Sequence, residues 1–150
     1  MNIKDILEKK LQWFSLYEVE TLKMYEANVY ENAEYMRKRD EYAAEIDKLD
    51  LLLNSETMSD VTLSKVLNCD CDRNTLDENY LGYFDVSLKI FSCKRRISEL
   101  NDMIRNNFQA EMDYLTEEIK KENKGSNAAY AKYSGALTFN NELYTKSRKI

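Results

Sequence analysis

The chain has 150 residues, a formal net charge of −5, and neither proline nor histidine. Proline disrupts helix interiors because it has no N–H and its ring collides with the preceding turn, so its absence suits long, uninterrupted helices. The acidic balance argues against a nucleic-acid partner, and the lack of histidine removes the commonest general base and metal ligand. We therefore expect one helical domain that has no catalytic activity, metal or cofactor.

An amphipathic pattern extends from about residue 2 to residue 53. Its apolar residues recur at spacings of mostly three, four and seven, which is helical periodicity. The stripe comprises Ile3, Leu7, Leu11, Phe14, Leu22, Tyr25, Val29, Met36, Ala43, Ile46, Leu49 and Leu53. The pattern predicts a first helix of roughly 75–80 Å, at 1.5 Å per residue.

A connection at residues 54–74 interrupts this pattern with turn-forming and capping residues. Within it, Val61, Leu63, Val66 and Leu67 predict a short helix that folds onto the long ones. Residues 68–74 then form a polar link.

The link contains Cys69 and Cys71, and a third cysteine, Cys93, lies further along the chain. Cys-x-Cys is too tight for the usual zinc knuckle and no fourth soft ligand is obvious, so we interpret these residues as reduced thiols. A calcium loop beginning at Asp70 is excluded, because Thr75 and Leu81 occupy the positions that require glycine and glutamate.

A second long helix is predicted from near Thr75, a plausible N-cap, to about residue 124. Its stripe comprises Leu76, Tyr80, Tyr83, Phe84, Ile90, Ile97, Ile104, Phe108, Met112, Leu115 and Ile119. Gly125 is a stop signal, and residues 128–134 predict two further helical turns. We expect residues 1–134 to form a single helical bundle domain and residues 135–150 a mobile C-terminal tail.

The predicted fold class is all-α: an elongated antiparallel hairpin or bundle of two long helices plus one or two short ones, with coiled-coil-like packing. Two helices leave part of a wide apolar stripe uncovered, so the short helix, the tail or a second molecule must cover the remainder. Apolar surface that the two helices cannot cover indicates a protein that binds a partner. The alternative is a structural coiled-coil protein that satisfies its stripe by self-association, for example as a homodimer.

The N-terminus has no apolar core of a signal peptide, and no window approaches the roughly 20 apolar residues that cross a bilayer. We therefore expect a cytoplasmic protein without stable membrane insertion.

Two stretches carry a resemblance to a known family. In the first helix, Arg37-Lys38-Arg39-Asp40-Glu41 leads into Ile46 and Leu49. After the lysine-rich end of the second helix comes Lys124-Gly125-Ser126-Asn127-Ala128-Ala129-Tyr130-Ala131-Lys132-Tyr133. This arrangement resembles divergent, clostridial-like flagellar type III export chaperones of the FlgN/FliT kind over most of residues 1–134. The sequence departs from better-studied members in its 54–74 connection and in its tail past Gly135.

The resemblance implies a small, acidic, non-catalytic cytoplasmic helical protein. Such chaperones bind the amphipathic end of a flagellar axial protein, hook-associated or filament-cap, keep it soluble and deliver it to a membrane protein of the export gate. We expect cargo on the apolar residues near the end of the second helix, namely Phe108, Met112, Leu115 and Ile119. In this family a C-terminal tyrosine contacts the export gate. The resemblance therefore implies that Ala129, Tyr130 and Tyr133 dock to the gate.

Overall fold

A computed structural model describes residues 2–27 and 31–125 of the chain. Within those residues the helices are α1 (Ile3–Glu26), α2 (Ala33–Thr57), α3 (Val61–Leu67) and α4 (Glu78–Gly125). A short 3-10 helix, Arg73–Thr75, precedes α4. No β-strand occurs in the described residues, and the predicted all-α class is confirmed. Contacts divide the chain into two compact units, residues 1–104 and a second unit that begins at Arg105.

The prediction of one long helix over residues 2–53 is wrong, because this stretch forms two helices, α1 and α2. Ala27 ends α1 in an extended conformation (φ −84, ψ 163), and Asn32 precedes the first turn of α2. The intervening sequence contains Asn28, Val29 and Asn32, which are weak helix formers. A reversal here lets α2 pack back on α1, and this burial outweighs the few helical hydrogen bonds that are lost.

Contacts between α1 and α2 show that they form an antiparallel hairpin. Near the start of α1, the Lys10 ammonium lies 2.6 Å from the carboxylate of Asp50, late in α2. Further along α1, Tyr17 Oη accepts a hydrogen bond from the Arg39 guanidinium at 2.6 Å. Early residues of α1 therefore meet late residues of α2, and later residues of α1 meet earlier ones.

Residues 78–104 of α4 complete a bundle with this hairpin. The core joins Ile6 and Leu7 from α1, Leu49 and Leu53 from α2, and Ile90 from α4. All five side chains are buried, and removal of their apolar surface from water at about 25 cal/mol per Å² is the main force that holds the helices together. The predicted helical bundle is therefore confirmed.

The short helix α3 forms where the sequence predicts it. Asp60 is its N-cap, and its side chain accepts a hydrogen bond from the backbone N–H of Leu63 at 3.0 Å. Leu63 and Val66 are buried, so α3 folds onto the longer helices as expected. After α3 the chain turns through Cys69, whose φ of 53 is unusual for a residue with a side chain.

The long helix α4 also agrees with the sequence pattern. It has 48 residues, begins three residues after Thr75 and ends at Gly125. The predicted domain end at residue 134 and the tail at residues 135–150 lie outside the described residues. Among the helices described here, none is long and apolar enough to cross a membrane.

Candidate functional site

The four side chains predicted to bind cargo all lie on α4, in the unit that begins at Arg105. Phe108, Met112, Leu115 and Ile119 are separated by four, three and four residues. In an α-helix this spacing brings them to one face, stacked along successive turns. We call these four residues the α4 apolar face.

The α4 apolar face is only partly covered. Phe108 is 47% exposed and Ile119 is 37% exposed, whereas Met112 and Leu115 are half-buried. By contrast, the core residues of the first unit retain only a few per cent of their surface. A row of large apolar side chains left in this state is a typical docking site for an amphipathic helix.

Polar residues of the same stretch pair with one another along the helix. Gln109 donates a hydrogen bond to Asp113 at 2.9 Å, four residues on. Two ion pairs at three-residue spacing follow, at 3.6 and 3.5 Å: Glu117 with Lys120, and Glu118 with Lys121. These exposed pairs contribute little to stability, but they keep the rest of the helix surface polar around the apolar face.

The predicted export-gate residues Ala129, Tyr130 and Tyr133 lie outside the described residues. Their proposed role remains a prediction from the sequence.

Among the described residues, no group of three or more histidine, cysteine, aspartate or glutamate side chains is placed to hold a metal ion. Cys69 and Cys71 are half-buried and Cys93 is buried, and all three are free thiols. Burial raises the pKa of Cys69, and the neighbouring Cys71 acts in the same direction.

Cys93 is only 1% exposed, and its Sγ donates a hydrogen bond to Glu18 Oε2 at 3.4 Å. Burial raises the pKa of Cys93 to about 11, and the Glu18 carboxylate supports this shift. The group is therefore a neutral thiol near pH 7, and it lacks the thiolate character of a nucleophilic cysteine.

Sequence reasoning missed a cleft in the first unit, to which all four helices contribute residues. Its volume is about 290 Å³, and its polar lining includes Lys10, Asp50, Ser64, Ser87 and Lys94. These residues are far apart in the sequence and match no recognised spacing, so only the folded arrangement reveals the cleft.

Two features of this cleft are energetically unusual. Ser87 is 2% exposed, and its Oγ makes no hydrogen bond in the described part of the chain; an unpaired buried hydroxyl costs about 1–3 kcal/mol. In addition, desolvation lowers the pKa of Lys94, and repulsion from Lys10 lowers it further, against the attraction of Asp50. The cleft thus contains a buried hydroxyl without a partner among the described residues, and two ammonium groups for one carboxylate.

No protein-family model, curated protein or solved structure matches this chain.

Proposed function

We propose that this protein is a non-catalytic helix-binding chaperone whose α4 apolar face holds an amphipathic helical segment of a flagellar axial protein, hook-associated or filament-cap. The observation that carries the proposal is the exposure of that face: Phe108 and Ile119 are exposed, and Met112 and Leu115 are half-buried. The bundle core does not need these residues, since it is built from residues of the first unit.

The chemistry of the partner follows from the spacing of the face. Side chains four, three and four residues apart form a narrow apolar ridge on one side of a helix. A partner helix with its own apolar residues at the same spacing covers such a ridge along its length. The segment is then shielded from water and from aggregation while it waits for secretion.

The axial-protein identity of the partner rests on the sequence resemblance. The proposed cytoplasmic location rests on that resemblance and on the N-terminal sequence and hydropathy. On the ground of the resemblance, we propose that Ala129, Tyr130 and Tyr133 contact a membrane protein of the export gate. Alanine at both tyrosines should leave cargo binding intact and weaken capture by the gate protein. Equal loss of both interactions would refute a separate docking role for these residues.

Co-expression and pulldown with hook-associated and filament-cap proteins tests the cargo proposal. We expect a stoichiometric complex that Phe108→Asp disrupts, because a carboxylate on the face cannot be buried under an apolar partner without a large desolvation penalty. Asn107→Asp is the matched control, since it adds the same charge to a neighbouring exposed position on α4.

Leu115→Asp probes the half-buried part of the face. We expect it to weaken binding more than it lowers the melting temperature. Failure to bind any axial protein, or equal loss of binding in the Asn107→Asp control, would refute the proposed cargo site.

Self-association is the second candidate. Leu16, Val19 and Leu22 recur at three-residue spacing on α1, and each is exposed. Such a row is also suited to a second copy of the same helix. A tight dimer in sedimentation experiments that Val19→Asp separates, together with no binding of axial proteins, would favour this function over the chaperone.

A further inference from the structure

The cleft of the first unit is distinct from the α4 apolar face, and its size suits a small molecule. At about 290 Å³ it lies at the lower end of the range for ligand pockets. Apolar side chains of the bundle core, Leu7, Leu53 and Ile90, form part of its wall, while the remaining wall is largely polar. Most small-molecule sites are lined mainly by apolar side chains, and the more polar lining of this cleft suits a charged ligand.

Positive charge exceeds negative charge among the residues that line the cleft. The Lys10 ammonium forms an ion pair with the Asp50 carboxylate at 2.6 Å, and Lys94 provides a second ammonium group. Both ammonium groups also approach the Phe14 ring, with Lys10 at 6.0 Å and Lys94 at 5.3 Å from its centroid. The cleft lining therefore holds two ammonium groups and one carboxylate, although the whole chain carries a net charge of −5.

An independent observation points to the same kind of ligand. Ser87 lines the cleft, is almost completely buried, and has a hydroxyl without a partner among the described residues. Ser64, from α3, also lines the cleft. The Ser87 Oγ is itself closed to water, so a bound acceptor reaches it only once the side chain turns toward the cleft. The acceptor then supplies the hydrogen bond that the protein does not.

We propose that this cleft binds a small oxyanion, a carboxylate or phosphate group of a free metabolite, between the ammonium groups of Lys10 and Lys94 and the hydroxyl of Ser87. Both oxyanions present several acceptor oxygens that suit two ammonium donors and a hydroxyl. The Asp50 carboxylate opposes the ligand's charge, and its pairing with Lys10 limits this repulsion. This binding does not depend on the chaperone proposal, because it uses none of the residues of the α4 apolar face.

Titration of the full chain with sodium phosphate and, separately, with sodium acetate tests the proposal. The concentration of sodium chloride is adjusted so that the ionic strength stays constant. Backbone amide NMR signals of Ser87 and Lys94 should shift along a saturable curve with at least one of the two anions. Saturation with phosphate alone identifies phosphate esters as the ligand class, and saturation with acetate alone identifies carboxylates. No saturable shift with either anion would overturn the proposal.

Variants that remove one positive charge distinguish specific anion binding in the cleft from non-specific electrostatic attraction to the protein surface. Lys94→Met should weaken binding at least about tenfold, because it removes a charge-assisted hydrogen bond. Lys89→Met is the matched control, since it removes the same charge from an exposed position of α4 outside the cleft, and it should leave affinity within about twofold. Equal loss in both variants would show non-specific attraction and overturn the proposal.

Two further variants test the roles of Asp50 and Ser87. Asp50→Asn should strengthen anion binding, because it removes the opposing carboxylate and leaves two cations for the ligand. Ser87→Ala should weaken binding about threefold to tenfold without lowering the melting temperature of the free protein. Circular dichroism establishes that each variant is folded, and unchanged affinity in folded Asp50→Asn and Ser87→Ala proteins would overturn the assignment of these residues.

Discussion

Cys93 on α4 donates a hydrogen bond from Sγ to Glu18 Oε2 on α1 at 3.4 Å. Arg96 Nε, one turn further along α4, lies 3.1 and 2.9 Å from the two oxygens of the same carboxylate. Glu18 thus accepts from a buried thiol on one side and an exposed guanidinium on the other. This cluster ties α1 to α4. Burial and the Glu18 carboxylate raise the pKa of the thiol, whereas Arg96 acts in the opposite direction.

The protonation of Cys93 predicts a specific loss of stability at high pH. Its pKa is raised from 9.0 to about 11 in the folded protein, so the folded state retains its proton where the unfolded state loses it. The contribution of the Cys93 thiol to the free energy of unfolding is therefore complete below pH 9, and it is lost as the pH rises toward about 11. We expect urea denaturation to show this loss in the wild-type protein and not in Cys93→Ala.

Cys71→Ala is the control for this pH series, because Cys71 lies outside the α1–α4 contact. It should retain the loss of stability that Cys93 causes, since its resolved effect is on the pKa of Cys69. The titration of tyrosines and lysines cancels in the comparison. A pH dependence of Cys93→Ala identical to that of the wild type would contradict the prediction.

Leu53 and Leu51 provide a matched pair for the bundle core. Leu53 is 5% exposed and belongs to the core cluster, whereas Leu51, two residues away on α2, is 70% exposed. Leu53→Ala should lower the free energy of unfolding by about 2–5 kcal/mol, because it removes buried methyl groups and leaves a cavity. Leu51→Ala should change it by less than about 0.5 kcal/mol.

Urea denaturation followed by far-UV circular dichroism measures both Leu53→Ala and Leu51→Ala. Similar effects of the two substitutions would mean that the stated packing of α2 is wrong.

Gly82 lies within α4, and beyond its chain neighbours and the adjacent helical backbone a Cβ added there meets no atom within 4 Å. Alanine favours helix over glycine because it has less backbone freedom to lose on folding. Gly82→Ala should therefore raise the free energy of unfolding by about 0.5–1 kcal/mol. A lower urea midpoint with an unchanged denaturant slope would contradict this expectation.

The fold class and the core were accessible from the sequence, because they depend on periodicity. Leu7, Leu49 and Leu53 repeat at helical spacing, and all three are buried. The absence of proline, however, misled the prediction of one long first helix. Proline is sufficient to end a helix, but a run of weak helix formers ends one equally well where the chain gains burial by turning back.

The apolar stripe also contained positions that the fold leaves in water. Leu22 and Met36 fit the periodicity predicted for one continuous helix, yet both are exposed, and they lie on two separate helices, α1 and α2. The cleft could not be predicted for a different reason. Lys10, Ser87 and Lys94 are ordinary residues in sequence, and their chemistry arises from the burial and proximity that tertiary packing creates.

The antiparallel pairing of α1 with α2 has a kinetic consequence. Contacts within the hairpin close short loops, whereas Glu18 and Arg96 are 78 residues apart, so hairpin contacts require less chain entropy to form. We expect the hairpin to form first and α4 to dock later. The chain contains no proline, so isomerisation should add no slow refolding phase.

Stopped-flow refolding with the single tryptophan, Trp13, as the probe measures this order, since its ring lies 5.6 Å from that of Tyr42 across the hairpin. Met24→Ala, beside Arg39 across the hairpin, should mainly slow refolding. Ile97→Val, in α4, should mainly accelerate unfolding. The reverse pattern would show that α4 docks before the hairpin closes. If the hairpin does form first, a growing chain can begin to fold on the ribosome before α4 has been synthesised.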